Sequence, residues 1–420
     1  MAQAAGFPRV GRRAAVLIFG IALAVRLVAI GLAGYSTSRF GDAAAYLGAA
    51  SVLIEQGRYP DRTDPFFFRA PGYPVFLVAA TLGDPDRVAL AKVANALLGA
   101  FSALLLAFIS ARLFRHRGVG VMTGIAGGLN PAFVRIATDL QSENLFLFLL
   151  LAWGLLLLIA TDRPSSGAAL AAGGVLALAA LTRPTALMLT PLLLAMLADR
   201  RYPFRARSHL AGSAVLGFLL VLAPWTARNA VVFRELIPVN DAGGNAFYQG
   251  NSDWNVRFYG IRSREEYERW IAAFDRDMRA QSDALDRAGQ VSPGERSAYF
   301  FRKALAERRG DPAGWARLLA AKAWDWLRPY PRPWFWPRWV VVGMGVFYTL
   351  LIALAAIGLA RAERRGAALF ALAVLAVSFA AHVVIIVVWR YRVPYWDPIL
   401  LLYGTQGAAD TLFRRWRRSS

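Results

Sequence analysis

The apolar residues of this chain come in long unbroken runs, and those runs decide the solvent in which it can fold. Stretches such as 14–34 and 88–113 are long enough to cross a hydrocarbon core as helices, and no period-2 alternation competes with them. Within a bilayer every backbone polar group must be satisfied inside the protein, which restricts such runs to helices. Of the 420 residues 57% are hydrophobic, too many for an ordinary soluble domain. The fold class read here is an all-α polytopic membrane protein, a bundle of about ten transmembrane helices by the length rule. The expected spans are 14–34, 88–113, 119–136, 145–160, 168–181, 186–197, 210–225, 339–359, 367–388 and 394–409. The fifth, sixth and tenth are short and are expected to be tilted, half-buried or re-entrant.

Charge orients the bundle. Arg12/Arg13, Arg112/Arg115/Arg117, Arg163, Arg200/Arg201/Arg205/Arg207, Arg361/Arg364/Arg365 and Arg414/Arg415/Arg417/Arg418 all fall on one side of the expected membrane. The positive-inside rule makes that side cytoplasmic, with both termini there. The net charge of +21 then reflects orientation and anionic headgroups rather than nucleic acid. Arg9, Arg12 and Arg13 before an apolar run resemble a signal peptide, but the run is long enough to span, so an uncleaved first helix is expected. The chain contains no cysteine, which excludes disulfides and thiolate metal sites, and its three histidines (His116, His209, His382) are scattered.

Three regions follow: an N-terminal transmembrane catalytic module at 1–227 with a first outer loop at 35–87, an outer and mostly helical loop domain at 228–338, and C-terminal transmembrane helices at 339–420. In the second outer loop, 238–255 is rich in Gly and Asn and reads as a folded loop or turn. Residues 262–288 carry a helical period, Ser292 with Glu295 makes a capping box, and Asp311-Pro312 reads as a helix start. Most tryptophans lie toward the outer side. Trp324, Trp326, Trp334, Trp336 and Trp339 read as an interfacial belt, with stacking on sugar or isoprenoid as the alternative.

Candidate chemistry gathers on the outer side. Asp42 opens an amphipathic stretch, where it can serve as a helix cap or as a proton acceptor for a hydroxyl. Asp139 and Glu143, four residues apart in TDLQSE, can share a helical face, and either can join Asp42. Arg69, Arg183, Arg228, Arg390 and Arg392 sit at outer edges, mostly beside Pro or Trp. Snorkelling to headgroups and a bidentate phosphate clamp are the two readings. Arg26 lies inside the first span, which calls for an interior partner, one of the outer acids, or outward snorkelling. No Walker-A loop, GxGxxG or HExxH is present, so a nucleotide has no visible binding loop.

The ordered set GD…Y…R.PGYP, TDLQSE, ALTRPT, PWTARN, GGNAFYQGN and RYRVPYWDP resembles the GT-C superfamily of integral-membrane glycosyltransferases, in particular the bacterial protein O-mannosyltransferase and aminoarabinose transferase group. The resemblance implies an inverting transferase that uses a polyprenyl-phosphate sugar. It matches Asp42 to the essential acid, Asp139 or Glu143 to the supporting acid, Arg69 to a phosphate-contacting residue, and Arg390 with Arg392 to a basic pair. Tyr73, Arg183, Arg228, Asn229 and Asn251, within the same motifs, complete the expected substrate contacts. Asp42 is followed by Ala43 rather than a second acid, which weakens the case for a protein acceptor and for a carboxylate-bound metal. No metal and no cofactor are expected beyond the lipid-linked donor. The expected partners are that donor, a glycan, lipid or protein acceptor, and the bilayer, with no nucleic acid. A bacterial inner membrane is the expected location, and a flippase for a lipid-linked saccharide is the alternative function.

Overall fold

The structure, a computed structural model, describes residues 10–34, 42–61, 64, 68–287, 289 and 292–419, with backbone only for 413–419. Arg9 and Gly41 lie outside the described residues. Among those described the chain is helical and contains no strand. The helices are α1 Arg12–Ala33, α2 Asp42–Gln56, α3 Gly72–Ala80, α4 Val88–Leu113, α5 Arg117–Leu129, α6 Pro131–Ala137, α7 Ser142–Asp162 and α8 Ser166–Thr182. A 3-10 stretch, Pro184–Ala198, follows. Beyond it come α9 Phe204–Phe233, α10 Gly243–Asn251, α11 Asp253–Gly260, α12 Arg264–Arg287, α13 Pro293–Gly310, α14 Pro312–Leu327, α15 Arg338–Ala360, α16 Arg365–Val384 and α17 Trp389–Ser419.

Among the described residues six helices (α1, α4, α7, α9, α15 and α16) are long and apolar enough to cross a bilayer, or seven if α5 and α6, bent by 52°, count as one span. The chain is a multi-pass membrane protein. Three of the ten expected spans fall short of that standard. Residues 168–181 lie in α8, which is short, and 186–197 lie in the 3-10 stretch, which contains Pro191. The last, 394–409, belongs to α17, whose first turns carry Arg390, Arg392 and Asp397.

Two compact units are formed. One comprises Met1–Trp225, Leu351–Val377 and Arg390–Ser420, the other Thr226–Leu350 and Ser378–Trp389. In the first unit α4 packs against α1, α5 and α7. Its contact face is built of small residues: Ala96, Ala100, Ala103, Ala107 and Ala111 recur at helical spacing and are buried. Lipid tails are as apolar as the helices, so association rests on close packing and polar ties rather than on the hydrophobic effect. Ser110, Thr123 and Thr405 supply such a tie, a hydroxyl chain of 2.7 and 2.6 Å steps joining α4, α5 and α17. Glycine allows the nearest approaches. A Cβ on Gly173 of α8 would lie 1.8 Å from the Ala214 carbonyl oxygen of α9, and one on Gly217 of α9 would lie 1.9 Å from that of Leu170 in α8.

Helix α7 fixes the scale of this unit. Glu143 stands in its first turn, and Asp162, its last residue, pairs with Arg112 and Arg364. At 1.5 Å per residue the two acids are separated by roughly 28 Å, about one hydrocarbon thickness. The end holding Asp162 gathers arginines of the basic side, and Glu143 marks the opposite end.

The second unit is built on α10 to α14, around Phe247, Tyr248, Phe274, Phe300 and Ala304. Ser292 and Glu295 form a capping box on α13, and Asp311 caps α14. The segment 238–255, expected as a loop or turn, is mostly helical, in α10 and the start of α11. Two of its three glycines serve contact rather than turning: Gly244 lies against the Ser297 carbonyl and Gly250 against that of Ile385.

Gly217→Ala should lower thermal stability in detergent by about 1–3 kcal/mol, the cost of an overpacked contact, while Gly212→Ala, where a Cβ meets nothing within 4 Å, leaves it unchanged. Equal melting of the two variants would contradict the α8–α9 packing.

Candidate active site

Five charged side chains of the first unit converge at the end of α7 that holds Glu143. Asp42 is the first described residue of α2, and both of its oxygens are taken. Arg69 Nη2 donates to Oδ1 at 2.9 Å, and Arg390 Nη2 donates to Oδ2. Arg390, in the first turn of α17, also bridges to Glu143, its Nε 3.2 Å from Oε1. Arg183, capping the end of α8, places Nη1 3.0 Å from the same Glu143 oxygen. The helix dipole at the start of α7 adds to the stabilisation of Glu143.

The two acids differ in access. The Glu143 side chain is 2% exposed and that of Asp42 is 31% exposed. Glu143 is therefore a buried counter-charge to Arg183 and Arg390, and Asp42 is the more open of the two carboxylates. Burial by itself would raise the Asp42 pKa. The charges of Arg390 and Arg69 and their hydrogen bonds outweigh it and hold the group at about 2.

Aromatic rings lie under the guanidinium groups. Arg69 is 4.8 Å from the ring centroid of Tyr46, and Arg183 and Arg390 are 4.5 and 5.4 Å from that of Tyr391. Tyr46 shares a hydrogen bond of 3.0 Å with Ser142 Oγ, which also accepts one from Arg183. Sequence reasoning passed over Tyr46, Ser142 and Tyr391. Each had a positional signal: Tyr46 is one turn beyond Asp42, Ser142 adjoins Glu143, and Tyr391 separates the two arginines of RYR.

Other expected site residues stand elsewhere. Asp139 lies in the turn before α7, not on the helix of Glu143, so the four-residue spacing does not give a shared face. Its Oδ1 accepts the Leu140 backbone N–H at 2.9 Å. Tyr73 is fully buried behind the site, edge-on to Tyr46, and accepts from Asn95 Nδ2 at 3.0 Å. Arg392 is 1% exposed, and two residues along a helix turn it roughly 200° from Arg390, so the basic pair does not act on one face. Arg26 donates to the Ala22 and Gly128 carbonyls at 2.8 and 2.9 Å, not to an outer acid.

Arg228, Asn229 and Asn251 belong to the second unit. Asn229 donates to the Ile237 and Val239 carbonyls and accepts from Arg228. Asn251 donates to the carbonyls of Phe247, Val384 and Ile385. These amides fasten backbone within that unit. Among the described residues no group of three or more His, Cys, Asp or Glu is placed to hold a metal ion.

A family described as dolichyl-phosphate-mannose-protein mannosyltransferase matches residues 73–227. The apo oligosaccharyltransferase of Archaeoglobus fulgidus superimposes over 97% of this chain with a TM-score of 0.60 at 14% identity. The family match covers under half of the chain, and the structural likeness is one of fold. The archaeal oligosaccharyltransferase AglB from Archaeoglobus fulgidus, in complex with an inhibitory peptide and a dolichol-phosphate, gives a TM-score of 0.56 at 13% identity, again over 97% of this chain. This chain covers 52% of the length of the archaeal chain in both structures. ArnT from Cupriavidus metallidurans bound to undecaprenyl phosphate matches at a TM-score of 0.45 and 16% identity, over 94% of this chain and 77% of its own. No curated protein matches the sequence. The family match includes Glu143 and Arg183 and leaves Asp42, Arg69 and Arg390 outside it.

The folded pKa of Asp42 lies below its unfolded value, so the stability it contributes is complete above about pH 4 and is lost as pH falls toward 2. Thermal midpoints measured from pH 6 to pH 2 should show an acid-side loss in the wild type that is reduced in Asp42→Asn. Identical acid profiles would contradict the paired geometry.

Proposed function

We propose that the chain is an inverting glycosyltransferase that moves a sugar from a polyprenyl-phosphate donor to an acceptor hydroxyl on the periplasmic face of a bacterial inner membrane, with both termini cytoplasmic. The observation that carries this reading is Asp42, a partly open carboxylate held between Arg69 and Arg390 at the mouth of a membrane bundle. Three guanidinium groups (Arg69, Arg183 and Arg390) share two carboxylates, which leaves one positive charge for an entering phosphate. The site lies at the end of α7 opposite the arginines that meet Asp162. That supports an outer location by the positive-inside rule, where a lipid-linked donor is accessible.

In this reading the donor phosphate takes guanidinium N–H groups away from Asp42. With its pKa held near 2, Asp42 is a weak base, and losing those partners restores its affinity for a proton. The acceptor oxygen attacks the anomeric carbon as the bond from that carbon to the phosphate oxygen breaks. The hydroxyl proton passes to Asp42, the electron pair of the broken bond stays on the polyprenyl phosphate, and the configuration inverts. The arginines stabilise the charge that develops on the leaving phosphate. Glu143, buried, holds Arg183 and Arg390 in place. The region 228–338 selects the acceptor, and its Arg228, Asn229 and Asn251 contribute through the packing of that region.

In this reading Arg390, bridging Asp42 and Glu143, supplies the positive charge that a divalent cation would otherwise bring. Transfer should therefore survive chelation with EDTA, and a full loss restored by a divalent ion would contradict the arginine-only clamp.

The test is transfer of radiolabelled sugar from a panel of polyprenyl-phosphate sugars to cell-envelope acceptors. Asp42→Asn should lower transfer by about 100-fold or more, the scale of a lost acid–base group, with folding intact. Full transfer by that variant would remove Asp42 from the mechanism. Label moving across the bilayer with the sugar still on its lipid, equally in both proteins, would establish the flippase instead.

A further inference from the structure

The second unit holds a separate cationic cleft that the transfer reaction does not use. It has a volume of about 300 Å³ and is lined by Ile261, Arg262, Arg328, Arg332, Pro333 and Trp334. Three of its six lining residues are arginines and none is acidic. Asp325, at their back, is paired with two of them: Arg328 Nη2 and Arg332 Nη2 each stand 2.6 Å from one of its oxygens. Tyr259 Oη donates to Asp325 at 3.4 Å. Arg262 Nη1 donates to the Tyr259 and Ile261 carbonyls, and Glu266 accepts the Arg262 backbone N–H.

The guanidinium positions are fixed before any ligand arrives. Arg332 is 4.3 Å from the ring centroid of Phe258, 4.9 Å from that of Tyr259 and 5.9 Å from that of Trp334. Arg328 is almost fully buried. Pre-ordered guanidinium groups in a small concave site suit the oxygens of a phosphate ester, which they bind through paired N–H groups. The three arginines meet two carboxylates here, Asp325 on Arg328 and Arg332 and Glu266 on the Arg262 backbone.

Its place in the chain says where the phosphate comes from. Helix α15, a membrane span, begins at Arg338, just after Trp334. Phe335, Trp336 and Trp339 are exposed around its start, as expected for aromatic side chains at a membrane interface. We propose that this cleft binds the phosphate headgroup of a membrane lipid beside the start of α15. The assignment does not depend on the transferase reading.

Native mass spectrometry of the purified protein with phosphatidylglycerol, phosphatidylcholine, a polyprenyl monophosphate and inorganic phosphate tests it. Trp334→Glu places a carboxylate in the cleft and removes no arginine, and Trp334→Gln makes nearly the same change of size without the charge. The wild type should retain an anionic phospholipid or polyprenyl monophosphate at least about tenfold better than phosphatidylcholine, a difference of the size charge-assisted contacts give. Trp334→Gln should keep most of that retention and Trp334→Glu should lose it. Preference for either anionic lipid supports the site and names its occupant. Equal retention by the two variants, or no preference over phosphatidylcholine, overturns the proposal. Competition by inorganic phosphate at the same concentration as the lipid overturns the lipid assignment.

Discussion

Arg390 is the side chain on which the candidate active site depends. It joins Asp42 of α2 to Glu143 of α7 from the first turn of α17, three elements far apart in sequence. A carboxylate as buried as Glu143 is tolerated only when paired, and removing one partner from such a pair typically costs about 3–5 kcal/mol. Arg183 provides a second partner from the end of α8. The network therefore ties together the membrane bundle, the first outer segment and the last helix. It also leaves one acid, Asp42, partly exposed.

That arrangement places opposing demands on Asp42. Two guanidinium groups hold it ionised and make it a poor base, while the proposed chemistry asks it to take a proton. Sharing resolves the conflict, because the arginines that suppress its basicity are the groups that a donor phosphate would claim. The aromatic rings of Tyr46 and Tyr391 keep the guanidinium groups in position during such an exchange. The close helix packing behind them, made by alanine and glycine faces, gives the network a rigid support.

Much of this was legible in the sequence, for identifiable reasons. Long apolar runs gave the helical membrane class. The outer acids and arginines stood out because charges at membrane edges are costly. Asp42, Arg69, Arg183 and Arg390 do meet. Choosing between Asp139 and Glu143 was not possible from spacing alone, since a helix start at Ser142, after a turn, separates them. The resemblance matched Arg392 with Arg390 as a basic pair, and two residues along a helix turn Arg392 to another face, where it is buried. The glycines of 238–255 suggested turns, whereas Gly244 and Gly250 serve close approach of α10 to α13 and to the backbone just after α16. Tyr46, Ser142 and Tyr391 carried only positional signals. The three spans expected to be short do not reach the length or apolarity of a crossing helix by themselves: 168–181 lies in a 17-residue helix, 186–197 is a 3-10 stretch with an internal proline, and 394–409 follows a polar helix start.

The central claim is that Asp42 and a donor phosphate compete for the same guanidinium groups. The direct measurement is the affinity of a polyprenyl monophosphate for the wild type and for Asp42→Asn, in detergent at neutral pH. The account predicts tighter binding by the variant, since the amide no longer carries the charge that holds Arg69 and Arg390. Equal or weaker binding by Asp42→Asn would contradict it.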